Sequence, residues 1–302
     1  MKFVEIVKKT NINFIGLRNK SFVLSAILVM LGVVAFVMVW LGKANLSVDF
    51  TGGTQLQIGF SEKVGTADLR KALLSGGLDD VHIQEVSGTN DFLIKTKLGD
   101  TDKEKVSDKI ESAVKGAFPD KTLQILGSNM VGATVGKTLK RNAIIAIVVS
   151  LICIVIYIAW RFNFIFGVAA TIATFHDVVV LLGIFYFLGR EMNILFITAL
   201  LTIAGYSLTD TVVVFDRIRE NMVKMKAKSD LAETINRSIN EVLSRSIITS
   251  LTTLIAIGAI LLFGGMVLFD FSFALFIGVL VGTYSSVFVA SPLVFLWRGK
   301  IR

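Results

Sequence analysis

The sequence predicts a polytopic α-helical membrane protein, with six transmembrane helices and one extracytoplasmic α+β domain, ferredoxin-like, between helices 1 and 2. Three observations predict this fold class. The chain of 302 residues is 54% hydrophobic and 18% charged, whereas soluble domains carry roughly 25% charged residues. Six apolar runs reach the roughly 20 residues that a helix needs to cross a bilayer. Residues 42–141, in contrast, have the mixed composition of a soluble domain.

The six apolar runs define the predicted spans, and two of them contain ionisable residues. His176 and Asp177 interrupt the third span, and Asp210 interrupts the fourth. The spans cover Phe22–Leu41, Ala143–Trp160, Phe164–Leu188, Ile194–Phe215, Ile247–Met266 and Phe271–Trp297. They divide the chain into an N-terminal segment at 1–21, helix 1 at 22–41, the α+β domain at 42–141, helices 2 to 6 within 142–297, and a tail at 298–302.

Basic residues predict the orientation. Those before the first span outnumber the single acidic Glu5: they are Lys2, Lys8, Lys9, Arg18 and Lys20. Because flanks rich in Lys and Arg stay in the cytosol, we expect both termini to be cytosolic and residues 43–141 to be extracytoplasmic. The first span exceeds the apolar core of a signal peptide and no A-x-A-like site follows it, so we expect an uncleaved anchor. The net charge of +8 therefore reflects orientation and not nucleic-acid binding.

The α+β domain reads strand, helix, strand, strand, helix, strand. Alternating apolar residues in QLQIGF and FLIKTKL are typical of strands, and the spacing around Val106 and Ile110 is typical of a helix. This order predicts the split βαβ arrangement of ferredoxin-like folds. The predicted elements are Leu46–Phe60, Thr66–Leu74, Val81–Val86, Phe92–Leu98, Thr101–Ala117 and Thr122–Leu126.

A cytosolic amphipathic helix is predicted near residues 229–245. Apolar residues such as Leu231, Ile235 and Ile239 recur there at helical spacing, and Asp230 followed by Glu233 resembles a helix N-cap. Two arrangements fit this pattern. The helix lies on the inner membrane surface, or it packs as an ordinary helix on the loop.

The composition excludes several chemistries. Cys153 is the only cysteine, which rules out disulfides and leaves no zinc or iron–sulfur ligand set. No G-x-S-x-G nucleophile motif and no G-x-x-x-x-G-K-[ST] nucleotide loop occurs. We therefore predict no catalytic residues, no metal and no cofactor. Energy for any work has to come from an ion gradient or from a partner.

The ionisable residues inside the spans are the candidate functional residues. A charge in a span costs about 2.5 to 3.5 kcal/mol on insertion scales, so Asp177 and Asp210 should face other helices or water. Asp210 lies about 24 Å along its helix from Ile194, near the cytosolic side, and Arg245 precedes the fifth span on that side. The sequence predicts that Asp210 and Arg245 can meet. They form either a proton relay or a permanent structural ion pair.

Other polar residues accompany these charges. Tyr206 and Thr209 share a face of the fourth span with two further threonines, and Thr249 shares a face of the fifth with Arg245. Such stripes line a hydrated path, or their hydroxyls bond only their own helix. His176 with Asp177 forms a second relay or an interhelical hydrogen-bonded pair. In the sixth span, small residues recur every four positions and predict close helix packing: Gly278, Gly282, Ser286 and Ala290.

A glycine pair follows the first span. Asp49, Gly52 and Gly53 lie where that span enters the α+β domain. Two glycines permit a tight turn or a positive φ, which is a structural reason for their presence. The functional alternative is that this junction couples movement in the membrane to the domain.

Five segments together resemble one family. They are DFTGGTQL (49–56), FHDVVVLLGIF (175–185), GYSLTDTVVVFDRIREN (205–221), SRSIITSLTTL (244–254) and IGVLVGTYSSVFVASP (277–292). In these motifs and in its six spans around one large loop, the chain resembles the SecF family of bacterial protein-export subunits, which is similar to the resistance-nodulation-division transporters.

The resemblance implies a function and partners. A SecF-like subunit pairs with SecD, associates with the SecYEG channel in the bacterial inner membrane, and uses an H⁺ or Na⁺ gradient to help preproteins emerge; YajC is a further candidate partner. By motif position, the family's ion-coupling aspartate and arginine correspond to Asp210 and Arg245, with Asp177 as a lesser candidate. Two other functions are alternatives: a scaffold without ion coupling, and an intramembrane aspartyl protease. GYSLTD differs from the GxGD motif of those proteases.

Overall fold

The computed structural model describes residues 10–78, 81–85, 89–96, 104–224 and 230–298. Contacts divide the chain into two compact units, one of Leu46–Ile145 and one of Met1–Asn45 with Ala146–Arg302. Several residues used in the predictions lie outside the described ranges: the basic residues before Thr10, the tail from 299, residue 229, and parts of the elements predicted at 81–86, 92–98 and 101–117.

The first unit is an α+β domain. Its elements are α2 (Val48–Thr51), β1 (Gly53–Phe60), α3 (Thr66–Ser75), β2 (Val81–Glu85), β3 (Asp91–Thr96), α4 (Glu104–Ala117) and β4 (Leu123–Val131). The four strands form an antiparallel sheet in the order β2-β3-β1-β4. This order is that of a ferredoxin-like fold, so the predicted fold class of the domain is confirmed.

The strands form because alternate residues face one apolar core. Leu56 and Ile58 of β1 are almost fully buried, as are Phe92 and Ile94 of β3. In the sheet, Leu56 pairs with Ile94 and Ile58 pairs with Phe92, so the four side chains lie on one face. The helices supply the rest of this core, including Leu69, Leu73, Ile110 and Val114.

Two predicted strand boundaries are wrong. The first strand was predicted to begin at Leu46, but Val48–Thr51 forms a short helix because Ser47 caps it by accepting a hydrogen bond from the Asp49 N–H at 3.2 Å. The last strand was predicted to end at Leu126, but β4 continues to Val131. It does so because β4 pairs along the whole of β1, beyond a bulge between Gln57 and Ile58.

The second unit holds a helical bundle. In the described part of the chain, six helices are long and apolar enough to cross a membrane; five lie in this unit, and the second of the six begins in the first unit and enters the bundle at Ala146. The first five are α1 (Arg18–Trp40), α5 (Ala133–Arg161), α6 (Phe164–Phe187), α7 (Ile194–Val223) and α8 (Leu231–Phe263). The sixth consists of α9 (Gly265–Ser285), a π-helix (Ser286–Ala290) and α10 (Ser291–Arg298). The predicted count of six is confirmed. α6 is the helix with the largest buried share.

The predicted cytosolic helix is not a separate element. α8 begins at Leu231, capped by the Asp230 carboxylate, and continues without a break through the fifth span. Ile235 and Ile239 are fully buried in a cluster with Phe14 and Ile218. Its apolar face therefore packs against protein instead of lying on a membrane surface.

The sixth span changes helix type near its end. Pro292 has no amide hydrogen, and its ring clashes with the carbonyl four residues earlier, that of Phe288. The widened π-helix Ser286–Ala290 directly precedes this point. The Ser291 hydroxyl donates to the Ser286 carbonyl at 2.9 Å, which satisfies one of the main-chain groups at the change.

Small residues bring the helices together. A Cβ added at Gly282 would lie 3.0 Å from the Ser207 Cβ, and one at Gly278 would overlap Ile203. The small-residue face of the sixth span thus packs against α7. Gly32 of α1 and Gly183 of α6 meet in the same way.

Candidate functional site

Asp177 lies at the centre of the bundle with three hydrogen-bond donors. Its side chain is fully buried. It accepts from the Ser207 hydroxyl of α7, from the Ser285 hydroxyl of α9 at 2.7 Å, and contacts Nδ1 of His176 at 2.9 Å. The carboxylate therefore joins three helices. His176 and Asp177 contact each other within α6, and the hydrogen bonds from Ser207 and Ser285 link this pair to two other helices.

Asp210 has a different environment. It is 9% exposed and accepts one side-chain hydrogen bond, from the Ser286 hydroxyl at 2.6 Å. Among the residues that the structure describes, it forms no ion pair. A carboxylate in a membrane span with one neutral donor is poorly compensated when ionised, because a buried charge needs a partner or several hydrogen bonds.

The predicted meeting of Asp210 and Arg245 is not observed. Arg245 is exposed on α8, and within the described part of the chain its side chain forms no ion pair. The next residue, Ser246, and Ser250 are the ones that turn into the bundle. The sequence indicates the depth of Arg245 along the helix, but it does not determine the direction of the side chain around the helix.

His176 is linked to α1 through an aromatic residue. Its ring centroid is 6.4 Å from that of Tyr284. The Tyr284 hydroxyl donates to the Ser21 carbonyl at 2.9 Å and lies 3.1 Å from the Ser25 hydroxyl. Nε2 of His176 is buried and has no hydrogen-bond partner among the described residues. A polar line thus runs from α1 past Tyr284 to the His176–Asp177 pair.

Tyr206 takes part in a second line of hydroxyls. It donates to Ser250 of α8 at 3.3 Å, and Ser250 lies 2.7 Å from the Thr283 hydroxyl of α9. This line joins α7, α8 and α9 one turn from Asp210. Among the predicted supporting residues, Tyr206 makes a contact between helices.

The threonines behave differently. Thr209 donates to the Gly205 carbonyl and Thr249 to the Arg245 carbonyl, each at 3.0 Å within its own helix. The other threonines of the two faces also bond their own helices. We call the exposed ones the threonine stripe: Thr198, Thr202, Thr209, Thr249 and Thr252. The stripe presents methyl groups and bonded hydroxyls on the outside of α7 and α8.

The glycine pair has a clear backbone reason. Gly52 has a φ of 72° and Gly53 a φ of 142°, which L-residues rarely adopt. A Cβ at Gly52 would lie 2.8 Å from the Ala133 Cα, and one at Gly53 would lie 2.5 Å from the Thr96 carbonyl oxygen. Asp49 is half-buried in the first turn of α2.

An ionic cluster joins α7 and the start of α8. Burial acts to raise the pKa of Glu241, but hydrogen bonds from Asn221, Arg237 and Arg217 outweigh it and lower the pKa to about 2. Hydrogen bonds from Lys224 and Arg217 lower the pKa of Glu220. The hydrogen bonds that Arg217 donates to Glu241 and Glu220 raise its own pKa. These groups stay charged near neutral pH and tie the two helix ends together.

Two ion pairs mark opposite ends of the bundle. Arg161 contacts Asp216 at 2.7 Å, and Arg190 contacts Asp270 at 3.4 Å. Arg190 also lies over the Phe269 ring at 4.7 Å. Asp177 and Asp210 lie between these ends, within the apolar part of the bundle.

The structure therefore brings Asp177 and His176 into contact and places Asp210 on the neighbouring helix α7. Arg245 lies on the exposed side of α8, outside the helical bundle. Sequence reasoning missed Ser207, Ser285 and Ser286 as partners of the carboxylates. The signal was present, since Ser286 belongs to the small-residue face, but that pattern indicates packing and not hydrogen bonding. Among the described residues, no three His, Cys, Asp or Glu side chains gather in a group able to hold a metal ion.

Comparison with known proteins places these residues in a family. The family described as protein export membrane protein SecD/SecF, C-terminal, matches residues 109–300, and the SecD/SecF GG motif matches residues 43–64. The chain is 51% identical over 294 residues to the protein translocase subunit SecF of Thermodesulfovibrio yellowstonii, covering 97% of both chains. It is 37% identical to SecF of Vibrio alginolyticus, covering 93% of this chain and 88% of that protein.

A solved structure agrees with the fold. The crystal structure of SecDF, a translocon-associated membrane protein from Thermus thermophilus, matches with a TM-score of 0.83 and 38% identity. The match covers 99% of this chain and 40% of that chain, so this chain spans less than half of the SecDF protein. The relatives are named as translocase subunits and not as enzymes. The chain belongs to the SecD/SecF family of protein-export membrane proteins.

Proposed function

We propose that this chain is an accessory subunit of the bacterial Sec preprotein translocase which, together with SecD, couples a transmembrane ion gradient to the export of unfolded preproteins. The observation that carries the proposal is Asp210, a carboxylate inside a membrane span whose one side-chain partner in the described part of the chain is the Ser286 hydroxyl. Membership of the family indicates protein export as the process, and the Asp210 carboxylate is a group able to bind and release a cation.

The environment of Asp210 suits ion exchange better than a permanent ion pair. A carboxylate locked to a guanidinium stays ionised, because breaking a buried pair costs several kcal/mol. Arg245 is exposed and not bound to Asp210 among the described residues. Asp210 can therefore be neutralised by H⁺, or by Na⁺, when the site opens to one side. We propose Arg245 as the group that approaches it in another conformation, and Asp177 as a second carboxylate of the same path.

Exposed polarity on α7 and α8 supports SecD as the partner. The threonine stripe and Arg245 lie on the outside of helices that are otherwise apolar. Polar side chains in a span usually face other helices instead of lipid. The SecDF relative contains this chain's match within 35% of its length. We propose that SecD covers this face and contributes its own ionisable residue.

The remaining features follow the same proposal. We place the chain in the inner membrane, with both termini cytosolic and residues 43–141 extracytoplasmic, because Arg161 and the basic flank of α1 are on the cytosolic side by the positive-inside rule. SecYEG is the proposed channel partner and YajC a further one. Preproteins are the proposed substrate. Asp49, Gly52 and Gly53 are proposed to keep the entry to the α+β domain rigid.

The experiment uses the full chain with SecD and SecYEG in vesicles, where an imposed ion gradient drives the late stage of export. Asp210→Asn is expected to abolish the gradient-dependent part while protein amount and SecD association stay unchanged. Asp216→Asn is the matched control, since Asp216 lies on the same helix but pairs with Arg161 outside the apolar part. Separate H⁺ and Na⁺ gradients identify the ion. Full gradient-dependent export by Asp210→Asn would rule out ion coupling through this residue.

The scaffold alternative has one observation in its favour, because residues 46–145 form a compact unit with a core of their own. If the chain were a scaffold, residues 43–141 on an unrelated membrane anchor would restore export. The protease alternative requires two aspartates that share one proton. Here Asp177 and Asp210 bond different serines, and we propose no catalytic role for either.

A further inference from the structure

Two adjacent serines on the sixth span contact different membrane carboxylates. Ser285 ends α9 and Ser286 begins the π-helix. α9 packs against both α6 and α7. Because successive residues point about 100° apart around a helix, Ser285 faces Asp177 on α6 while Ser286 faces Asp210 on α7.

Each serine hydroxyl also has a second acceptor in its own helix. The Ser285 Oγ lies 3.1 Å from the Gly282 carbonyl oxygen, and the Ser286 Oγ lies 3.1 Å from the Thr283 carbonyl oxygen. A hydroxyl carries a single proton. It can therefore donate to the carboxylate or to the carbonyl, but not to both with full strength.

The protonation of the carboxylate decides between the two acceptors. When Asp210 is ionised, the Ser286 proton belongs on it, because a hydrogen bond to a charged acceptor is the stronger one. When Asp210 is protonated, its own O–H donates to the Ser286 Oγ, and the hydroxyl turns its proton to the Thr283 carbonyl. The serine proton stays on its oxygen throughout. The proton that Asp210 gains arrives from the aqueous path and leaves by it.

Both arrangements give every polar group a partner. This matters because Ser286 is fully buried and Asp210 is 9% exposed, and an unsatisfied buried polar group is costly. The backbone of Ser286 is held separately, since its carbonyl accepts from the Ser291 hydroxyl at 2.9 Å. The serine side chain can thus turn while its main chain stays in place.

Other ionisable groups on the packed helices do not replace this contact. In the described chain, those within or at the edge of the spans packed on α7 are His176, Asp177, Tyr186, Arg245, Asp270 and Tyr284. Asp210 hydrogen-bonds to none of them. The π-helix contributes no ionisable residue.

We infer that Ser286 is a positioning residue for ion coupling, whose hydroxyl turns between Asp210 and the Thr283 carbonyl as Asp210 exchanges its proton, and that Ser285 does the same for Asp177. This inference rests on the proposed ion-coupling function. It adds the residue that gives each carboxylate a hydrogen-bond partner in both of its protonation states.

The test is infrared difference spectroscopy of the chain with SecD in lipid vesicles, recorded while the pH is changed. Asp210→Asn identifies the carboxyl band of Asp210. In Ser286→Ala, loss of the hydroxyl partner moves that band to higher frequency. Ser286→Cys keeps a side chain of similar size with a weaker hydrogen-bond donor, and it moves the Asp210 band less, in the same direction. This second variant keeps the test valid if alanine disturbs folding.

Two controls separate this effect from general disturbance. Ser285→Ala leaves the Asp210 band in place and moves the band that Asp177→Asn identifies. Ser272→Ala also removes a buried hydroxyl from α9, but that hydroxyl bonds the Leu268 carbonyl at 2.7 Å, so neither band moves.

Export measurements complete the test. Ser286→Ala is expected to reduce gradient-dependent export about tenfold, and to have no further effect in the Asp210→Asn background. An Asp210 band that stays unchanged in both Ser286 variants would overturn the inference, even if Asp210→Asn abolishes export. A band that moves, together with normal export by Asp210→Asn, would instead contradict the proposed function and with it the coupling role of Ser286.

Discussion

Replacing Gly32 by alanine is expected to push α1 away from α6. A Cβ built at Gly32 would lie 2.5 Å from Cγ1 of Val179 and 2.7 Å from its carbonyl carbon. Carbon atoms in good contact are about 3.5 to 4.0 Å apart. Because the obstacle includes the main chain of α6, no side-chain rotation relieves it, and the helices have to separate. Gly183 faces this point from α6, where a Cβ would lie 2.9 Å from the Gly32 Cα.

The cost follows from this overlap. Overpacking typically costs about 1 to 3 kcal/mol, and a main-chain obstacle places Gly32→Ala near the upper limit, at about 3 kcal/mol. The effect reaches the candidate site. α1 provides the Ser21 carbonyl and the Ser25 hydroxyl that hold Tyr284 next to His176. Separation of α1 therefore removes the support of the His176–Asp177 pair from that side.

The measurement is unfolding of the purified protein in detergent by added dodecyl sulfate, followed by tryptophan fluorescence. Gly258→Ala is the matched control, because a Cβ at Gly258 on α8 meets nothing within 4 Å. Its free energy of unfolding is expected to stay the same or to rise by up to about 1 kcal/mol, because alanine favours the helix over glycine. Equal free energies of unfolding for the two variants would refute the reasoning that α1 and α6 cross through their glycines.

Three further predictions concern other parts of the chain. The pKa of Glu241 is lowered from 4.5 to about 2, so the stability that its charge contributes is present above pH 4.5 and is lost as the pH falls towards 2. In Glu241→Gln, the free energy of unfolding measured over that pH range should therefore vary by about 1 to 2 kcal/mol less than in the unchanged protein. Asn240→Ala removes two hydrogen bonds to the Ile12 main chain, so amide exchange at residues 10–13 should become about tenfold faster. Gly53→Ala is expected to lower the free energy of unfolding of the α+β domain, measured by thermal melting, by about 2 to 4 kcal/mol, since it forces a side chain to a positive φ and into a clash. A Cβ at Gly127 in β4 would meet the end of the Gln57 side chain at 4.0 Å, an ordinary contact, so Gly127→Ala should leave this free energy nearly unchanged.

The spans and the domain type could be predicted because each rests on a repeated signal. Hydropathy over a whole helix does not depend on single residues, and the order of six elements specifies a ferredoxin-like sheet. The predicted start of the first strand failed where one residue decides, because Ser47 caps a helical turn ahead of β1. The change to a π-helix before Pro292 was not predicted either. No periodic pattern marks either feature.

The site could be predicted in part for a related reason. The energetic cost of charge in a membrane identified Asp177 and Asp210 from the sequence alone. Their partners could not be found in this way, because a hydroxyl in a span carries no such cost and Ser285 and Ser286 look like packing residues. The depth of Arg245 was predictable from the helical rise, but the direction of its side chain depends on how α8 packs on α7 and α9.

The two aspartates differ in the number of hydrogen bonds that this chain donates to them, and this difference indicates their roles. Asp177 accepts from three groups on three helices and is fully buried, so its removal leaves several donors without a partner. Asp210 accepts one side-chain hydrogen bond, and Arg245 with the threonine stripe is exposed on the adjoining helices. A buried carboxylate that its own chain leaves undercompensated is tolerable when a proton neutralises it or when a charged group reaches it from outside. Both conditions apply in turn if SecD covers this face. Asp210 is then the carboxylate that exchanges its partner with SecD, whereas Asp177, the second carboxylate of the proposed path, also holds α6, α7 and α9 together.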